Sequence, residues 1–156
     1  GHPPEETTGR GTGIDDQTFK LKVNVVKEAL ELHAPDPEDP LGVLAKIGGL
    51  EHAAIVGVIL SGAVYGLPVI LDGVVSDSAA LVARALAPHS AQYVIAGHRS
   101  IEPGARISLQ SLDVRPLLDL DMRLGEGTGG LLAVPLVQAA SRTLKEMAML
   151  EEIGFG

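Results

Sequence analysis

The chain has 156 residues with no cysteine and no tryptophan, 46% hydrophobic yet only 3% aromatic, and a formal net charge of −8. A core of Ala, Val, Leu and Ile is expected, disorder is excluded as the main state, and disulfide frameworks, Cys-based zinc sites and thiol nucleophiles are ruled out. Nucleic-acid affinity rests on Lys and Arg neutralising phosphates, so no nucleic-acid partner is expected and any phosphate must be held locally.

Residues 1–13 read as a glycine-rich entry loop; with no initiator Met and no signal-peptide pattern, they are expected to continue from an upstream segment. Asp15 or Asp16 caps a helix to about His33, with Phe19, Val23, Val26 and Leu30 on one face. The run Ala34-Pro-Asp-Pro-Glu-Asp-Pro40 ends it, and Asp39-Pro40 starts a short helix through Ile47, closed by Gly48-Gly49. An apolar helix is expected from Leu50 to Tyr65. Ala53 to Leu71 carries no charge, but Gly66-Leu67-Pro68 interrupts it and no basic cluster flanks it. A fully buried helix followed by a buried strand is therefore expected, not a membrane span.

From there the pattern becomes regular. Val69–Leu71 reads as a strand, Asp72-Gly73 as a turn, and Ser76 as the cap of a helix to about Ala87. Tyr93–Ala96 is a second strand, then a Gly97-His-Arg-Ser100 loop and a helix begun near Pro103. Pro116–Leu120 is a third, followed by a Met122–Gly129 loop and a long helix to about Leu150. Pro135 predicts either a kink in that helix or a start slightly later than Thr128. Short strands, apolar on both faces and each followed by a helix, predict an α/β fold around a parallel sheet.

Glycine is 19 of the 156 residues, about 12% against a usual ~7%. Gly73, Gly97, Gly104, Gly125, Gly127 and Gly129 lie between a strand and the following helix, where open α/β sheets bind ligands and free helix amides attract phosphate. Neither a P-loop nor a G-x-G-x-x-G fingerprint after a strand occurs, which removes the main support for ATPase and dinucleotide-dehydrogenase readings. Glu126, between Gly125 and Gly127, is either a first-turn acid complementing the helix dipole or a general base that a substrate approaches closely. His98 and Arg99 are open to surface or site roles. Histidines 2, 33, 52, 89 and 98 form no metal constellation, and no metal or cofactor is expected. Lys20, Lys22 and Lys27 are by default a solvated helix face.

Five stretches occur in one order and spacing: Gly9-Arg-Gly-Thr-Gly-Ile-Asp-Asp16, Gly48-Gly-Leu-Glu51, Leu71-Asp-Gly-Val-Val-Ser76, Ala96-Gly-His-Arg-Ser-Ile-Glu-Pro-Gly104 and Met122-Arg-Leu-Gly-Glu-Gly-Thr-Gly129. In these the chain resembles the C-terminal half of the nicotinate-nucleotide:dimethylbenzimidazole phosphoribosyltransferases. The resemblance implies a transferase moving phosphoribose from nicotinate mononucleotide to 5,6-dimethylbenzimidazole, giving α-ribazole 5′-phosphate for the cobalamin lower ligand. It implies a three-layer Rossmann-like parallel β-sheet flanked by helices, without the N-terminal part of the family fold. It also implies a cytoplasmic homodimer with small-molecule substrates and no membrane partner.

Residue by residue, the resemblance makes Glu126 the catalytic base that takes the benzimidazole proton. Gly11, Asp72, Gly73 and Ser100 fall at phosphoribose contacts, Lys22 near the reacting site, and Leu124 on the aromatic base pocket. Ala105 stands where the family often has His, and Val74-Val75 where Phe-Ile is usual. The family's upstream Gly-Glu-Met-Gly-Ile-Gly-Asn-Thr-Thr motif is absent, so the chain alone is expected to be inactive. Its expected divisions are the entry loop 1–13, a helical part 14–65, β/α units with site loops 66–130, and a C-terminal helix 131–156. The alternatives are a non-catalytic phosphate- or nucleotide-binding α/β domain, or a dimerising fragment whose Leu50–Tyr65 helix faces a partner.

Overall fold

The computed structural model describes residues 1–149, 152 and 154. Residues 4–7 form a one-turn helix, α1 (Pro4–Thr7), where a loop was expected; Pro4 at its first position has a fixed φ suited to starting a helix. Helix α2 (Asp16–His33) is capped by Asp15, which accepts from Thr18 N–H at 2.8 Å. Asp39 caps α3 (Pro40–Ile47) in the same way through Gly42 N–H at 2.9 Å. Helix α4 (Leu50–Tyr65) ends on left-handed Gly66. Local capping chemistry therefore sets all three of these helices at the expected bounds.

Strands β1 (Val69–Leu71) and β2 (Val94–Ala96) pair in parallel, with Ile70 opposite Ile95. Helix α5 (Val74–Leu86) and a 3-10 helix (Pro88–Tyr93) form the crossover between them, so Tyr93 belongs to that turn and not to the strand. After α6 (Pro103–Leu112), the expected third strand reduces to one parallel bridge, Leu118 beside His98. Leu117 and Leu118 donate to Ala96 and Gly97 carbonyls at 2.9 and 3.1 Å. Pro116 has no N–H to extend that ladder backwards, and beyond Asp119 the backbone turns away through Asp121 at φ 53°.

Helix α7 (Thr128–Glu146) begins at Thr128 with Pro135 in its interior, so the later start is not found, and it ends before Leu150, which lies outside the described residues. Ser76 is not the cap of α5. It sits one turn inside, and its hydroxyl accepts from Gly73 N–H at 3.1 Å and Asp72 N–H at 2.9 Å.

The core joins Val56 and Ile59 of α4, Leu71 of β1, Ala79, Ala80 and Ala83 of α5, Val94 of β2 and Leu112 of α6. Small side chains let α4 pack on α5 and α5 on α6, consistent with a chain so poor in aromatics. The expectation that α4 is fully buried is wrong. It packs on one side only, burying Val56, Ile59 and Gly62, while Leu50, Val58, Val64 and Tyr65 are exposed. Among the described residues no helix is long and apolar enough to cross a membrane.

Candidate active site

The carboxyl ends of β1 and β2 deliver the residues that the fold places together. Beyond β1 come Asp72 and Gly73, and beyond β2 come His98 and Ser100. The Arg123–Gly127 loop arches over both. Asp72, Gly73, His98 and Ser100, with Arg123, Gly125 and Gly127 of that loop and Val74, Val75 and Ser76 at the start of α5, line a cleft of about 260 Å³. The first-turn amides of a helix have no intrahelical acceptors, so α5 offers N–H donors to an anion in this cleft. Ser100 is buried, and its hydroxyl accepts from Glu102 N–H at 3.3 Å. A second, mostly apolar cleft of about 390 Å³ shares Asp72, His98, Arg123 and Gly125, and adds Thr12, Met122 and Leu124. Leu124 is 61% exposed and offers an apolar wall to a flat ring.

Asp72 does something its sequence position did not reveal. Its carboxylate accepts from Gly127 N–H at 3.1 Å and Gly130 N–H at 3.0 Å, capping α7 across more than fifty residues of sequence. A negative charge is favourable at that helix end. His98 Nε2 stands 3.7 Å from Asp72 Oδ1, and the buried ring lies so close to Gly129 that any side chain there would strike it. Its Nδ1 has no partner among the described residues.

The remaining candidates divide. Glu126 is exposed on the rim between two left-handed glycines, Gly125 at φ 76° and Gly127 at φ 82°, and lines neither cleft. Such backbone is cheap only for glycine, which explains the pattern around the acid. Gly11 lies in a neighbouring hollow with Thr8, Phe19 and Pro103, its N–H donating to Glu102 Oε1 at 2.9 Å. That hollow adjoins the first cleft through Glu102 and Arg123. Lys22 Nζ donates to Gly9 O at 2.7 Å, so its ammonium ties α2 to the entry loop. The structure thus gathers Asp72, Gly73, Ser100 and Leu124, leaves Glu126 overhanging, and holds Gly11 and Lys22 to one side.

Sequence reading passed over Thr12, Glu102, Arg123 and Asp77. The first three sit inside the quoted motifs, so their position was the available signal. Asp77, on α5, is fully buried with neither oxygen bonded among the described residues; desolvation, and then the charge of Asp72, push its carboxyl up to about 7.

Fold and site together define an α/β protein whose ligand clefts open at the carboxyl edge of a parallel sheet. The family model described as Phosphoribosyltransferase matches residues 1–154. The chain belongs to this phosphoribosyltransferase family. It is 56% identical over 151 residues to the nicotinate-nucleotide–dimethylbenzimidazole phosphoribosyltransferase of Salinispora tropica, covering 97% of this chain and 42% of that protein. The protein of the same name from Chloroflexus aggregans is 54% identical, over 99% of this chain and 44% of its own length. The crystal structure of CobT from Thermus thermophilus superposes with a TM-score of 0.90 at 46% identity, covering 99% of this chain and 46% of that one. The chain thus spans less than half the length of the curated relatives it matches, and within that span the expected parallel α/β fold is present.

Proposed function

We propose that this chain carries the base-bearing part of a site that transfers phosphoribose from nicotinate mononucleotide to 5,6-dimethylbenzimidazole. The observation that carries the reading is Glu126, a carboxylate cleared of neighbouring bulk by Gly125 and Gly127, overhanging clefts that join helix amides to an apolar wall. The names of its relatives support the same reaction. The phosphate is held by the α5 amides and the Ser100 loop, and the heterocycle lies against Leu124. One benzimidazole nitrogen attacks the anomeric carbon. The C–N bond to nicotinate breaks with its electron pair, leaving a neutral ring nitrogen, and Glu126 takes the proton from the other benzimidazole nitrogen. No covalent enzyme intermediate is needed.

In a full-length enzyme bearing this sequence, Glu126→Gln is expected to slow α-ribazole phosphate formation by about 10²–10⁴, the usual contribution of a positioned base. An unchanged rate removes Glu126 from the mechanism. The 156-residue chain assayed alone is expected to turn over negligibly, since relatives contain more than twice this length; turnover near the full-length rate overturns that expectation. The same reading makes the enzyme cytoplasmic and a homodimer, the dimer supported by the exposed apolar face of α4 and tested by the mass in solution at two concentrations. Binding of phosphate or nucleotide without transfer is the second reading, favoured by the commitment of Lys22 and Asp72 to protein partners. It survives if the full-length protein binds nicotinate mononucleotide but makes no product.

A further inference from the structure

The Glu126 loop is tethered at few points. On its N-terminal side, Ile101 N–H donates to Met122 O at 3.2 Å. Residues 123–126 then make no hydrogen bond among the described residues, and Gly125 and Gly127 give the backbone little stiffness of its own. The next fixed point is Gly127, whose N–H meets Asp72 Oδ2, with Gly130 N–H on Oδ1. Asp72 is itself held. Its own N–H is bonded to Ser76 Oγ, its side chain is only 19% exposed, and His98 backs one oxygen. Both carboxylate oxygens therefore already hold backbone amides at the start of α7.

We propose that Asp72 is a positioning residue: by gripping the first turn of α7 it sets where the Glu126 carboxylate stands over the cleft. This rests on the reading of Glu126 as the base, and it replaces the expectation that Asp72 contacts phosphoribose directly. A base displaced by about 1 Å loses on the order of 10²-fold in rate. A lost substrate contact acts on KM instead.

The test is a mutant cycle in the full-length enzyme bearing this sequence. Asp72→Asn is expected to lower kcat by about 10–10² with KM for nicotinate mononucleotide within threefold, and to add nothing in the Glu126→Gln background. A tenfold rise in KM with kcat unchanged, or losses that multiply in the double variant, overturns the proposal. Amide hydrogen exchange of the free enzyme gives a readout independent of the chemistry. Asp72→Asn should speed exchange at Gly127, Gly130 and Leu131 at least tenfold, and unaltered exchange there overturns the tether even if Glu126 proves dispensable. Should Asp72→Asn fail to fold, Asp72→Glu keeps the charge and shifts it by one methylene, with the same pattern expected.

Discussion

Asp72, His98 and Gly129 lie packed beneath the clefts, while Gly125, Glu126 and Gly127 stand over them in solvent, and the two groups are joined by one hydrogen bond, from Gly127 N–H to Asp72. The floor is dense and its neighbours are fixed. At the rim, Gly125 and Glu126 make no hydrogen bond among the described residues. On the proposed reading the two regions do different work: the rim carries the acid that a substrate meets, and the floor keeps that acid in one place. Substitutions at His98 and Gly129 should register in stability, those at Glu126 in rate with the fold intact, and those at Asp72, which links the two regions, in both.

The sharpest break is Gly129→Ala. An added Cβ would stand 1.8 Å from His98 Cδ2, and the imidazole is only 3% exposed, so it has little space to withdraw. Overpacking of this kind typically costs about 1–3 kcal/mol, and the upper end is expected here, read as a drop in the denaturant midpoint. Gly127, on the rim, has open space where a Cβ would stand but a left-handed φ, so alanine there meets strain without collision. A Gly129→Ala variant as stable as the parent would show that the floor yields, and the contrast between regions would collapse.

What the sequence disclosed follows the same division between local and distant causes. Helices α2, α3 and α4 were legible to within about a residue because Asp15, Asp39 and Gly66 cap within a few positions of the segments they bound. The third strand was misread because pairing at Leu118 depends on carbonyls of Ala96 and Gly97, some twenty residues away, and no periodicity encodes where it stops. Hydropathy marked α4 as apolar but could not say which side would be covered. At the site, Gly73 was singled out as a strand-end loop position, and Ser100 and Leu124 by the family resemblance. The capping role of Asp72 was not, since its partners are 55 and 58 positions further on. Asp77 was passed over for a related reason: an acid one turn into a helix looks like an ordinary first-turn charge until packing buries it.

Asp77 gives the contrast a pH dependence. Its folded pKa is raised from 3.8 to about 7, first by burial and then by the Asp72 charge, so the folded state binds a proton that the unfolded chain has released across that interval. The stabilising contribution is thus fully present below 3.8 and is lost as pH rises through about 7. At about 1.4 kcal/mol per unit, the interval from pH 5 to 8 should remove roughly 2 kcal/mol from the folded state. Asp77→Asn mimics the protonated carboxyl in shape and does not titrate, so its stability relative to the parent in denaturant unfolding should grow by about that amount between pH 5 and pH 8. Asp72→Asn should flatten part of this pH dependence, because it removes the neighbouring charge while leaving Asp77 as buried as before, and the weakened cap on α7 should lower stability at every pH. Parallel stability curves for parent and Asp77→Asn across this range would mean that the carboxylate finds a partner when it ionises, and the floor would then be less rigid than its packing indicates.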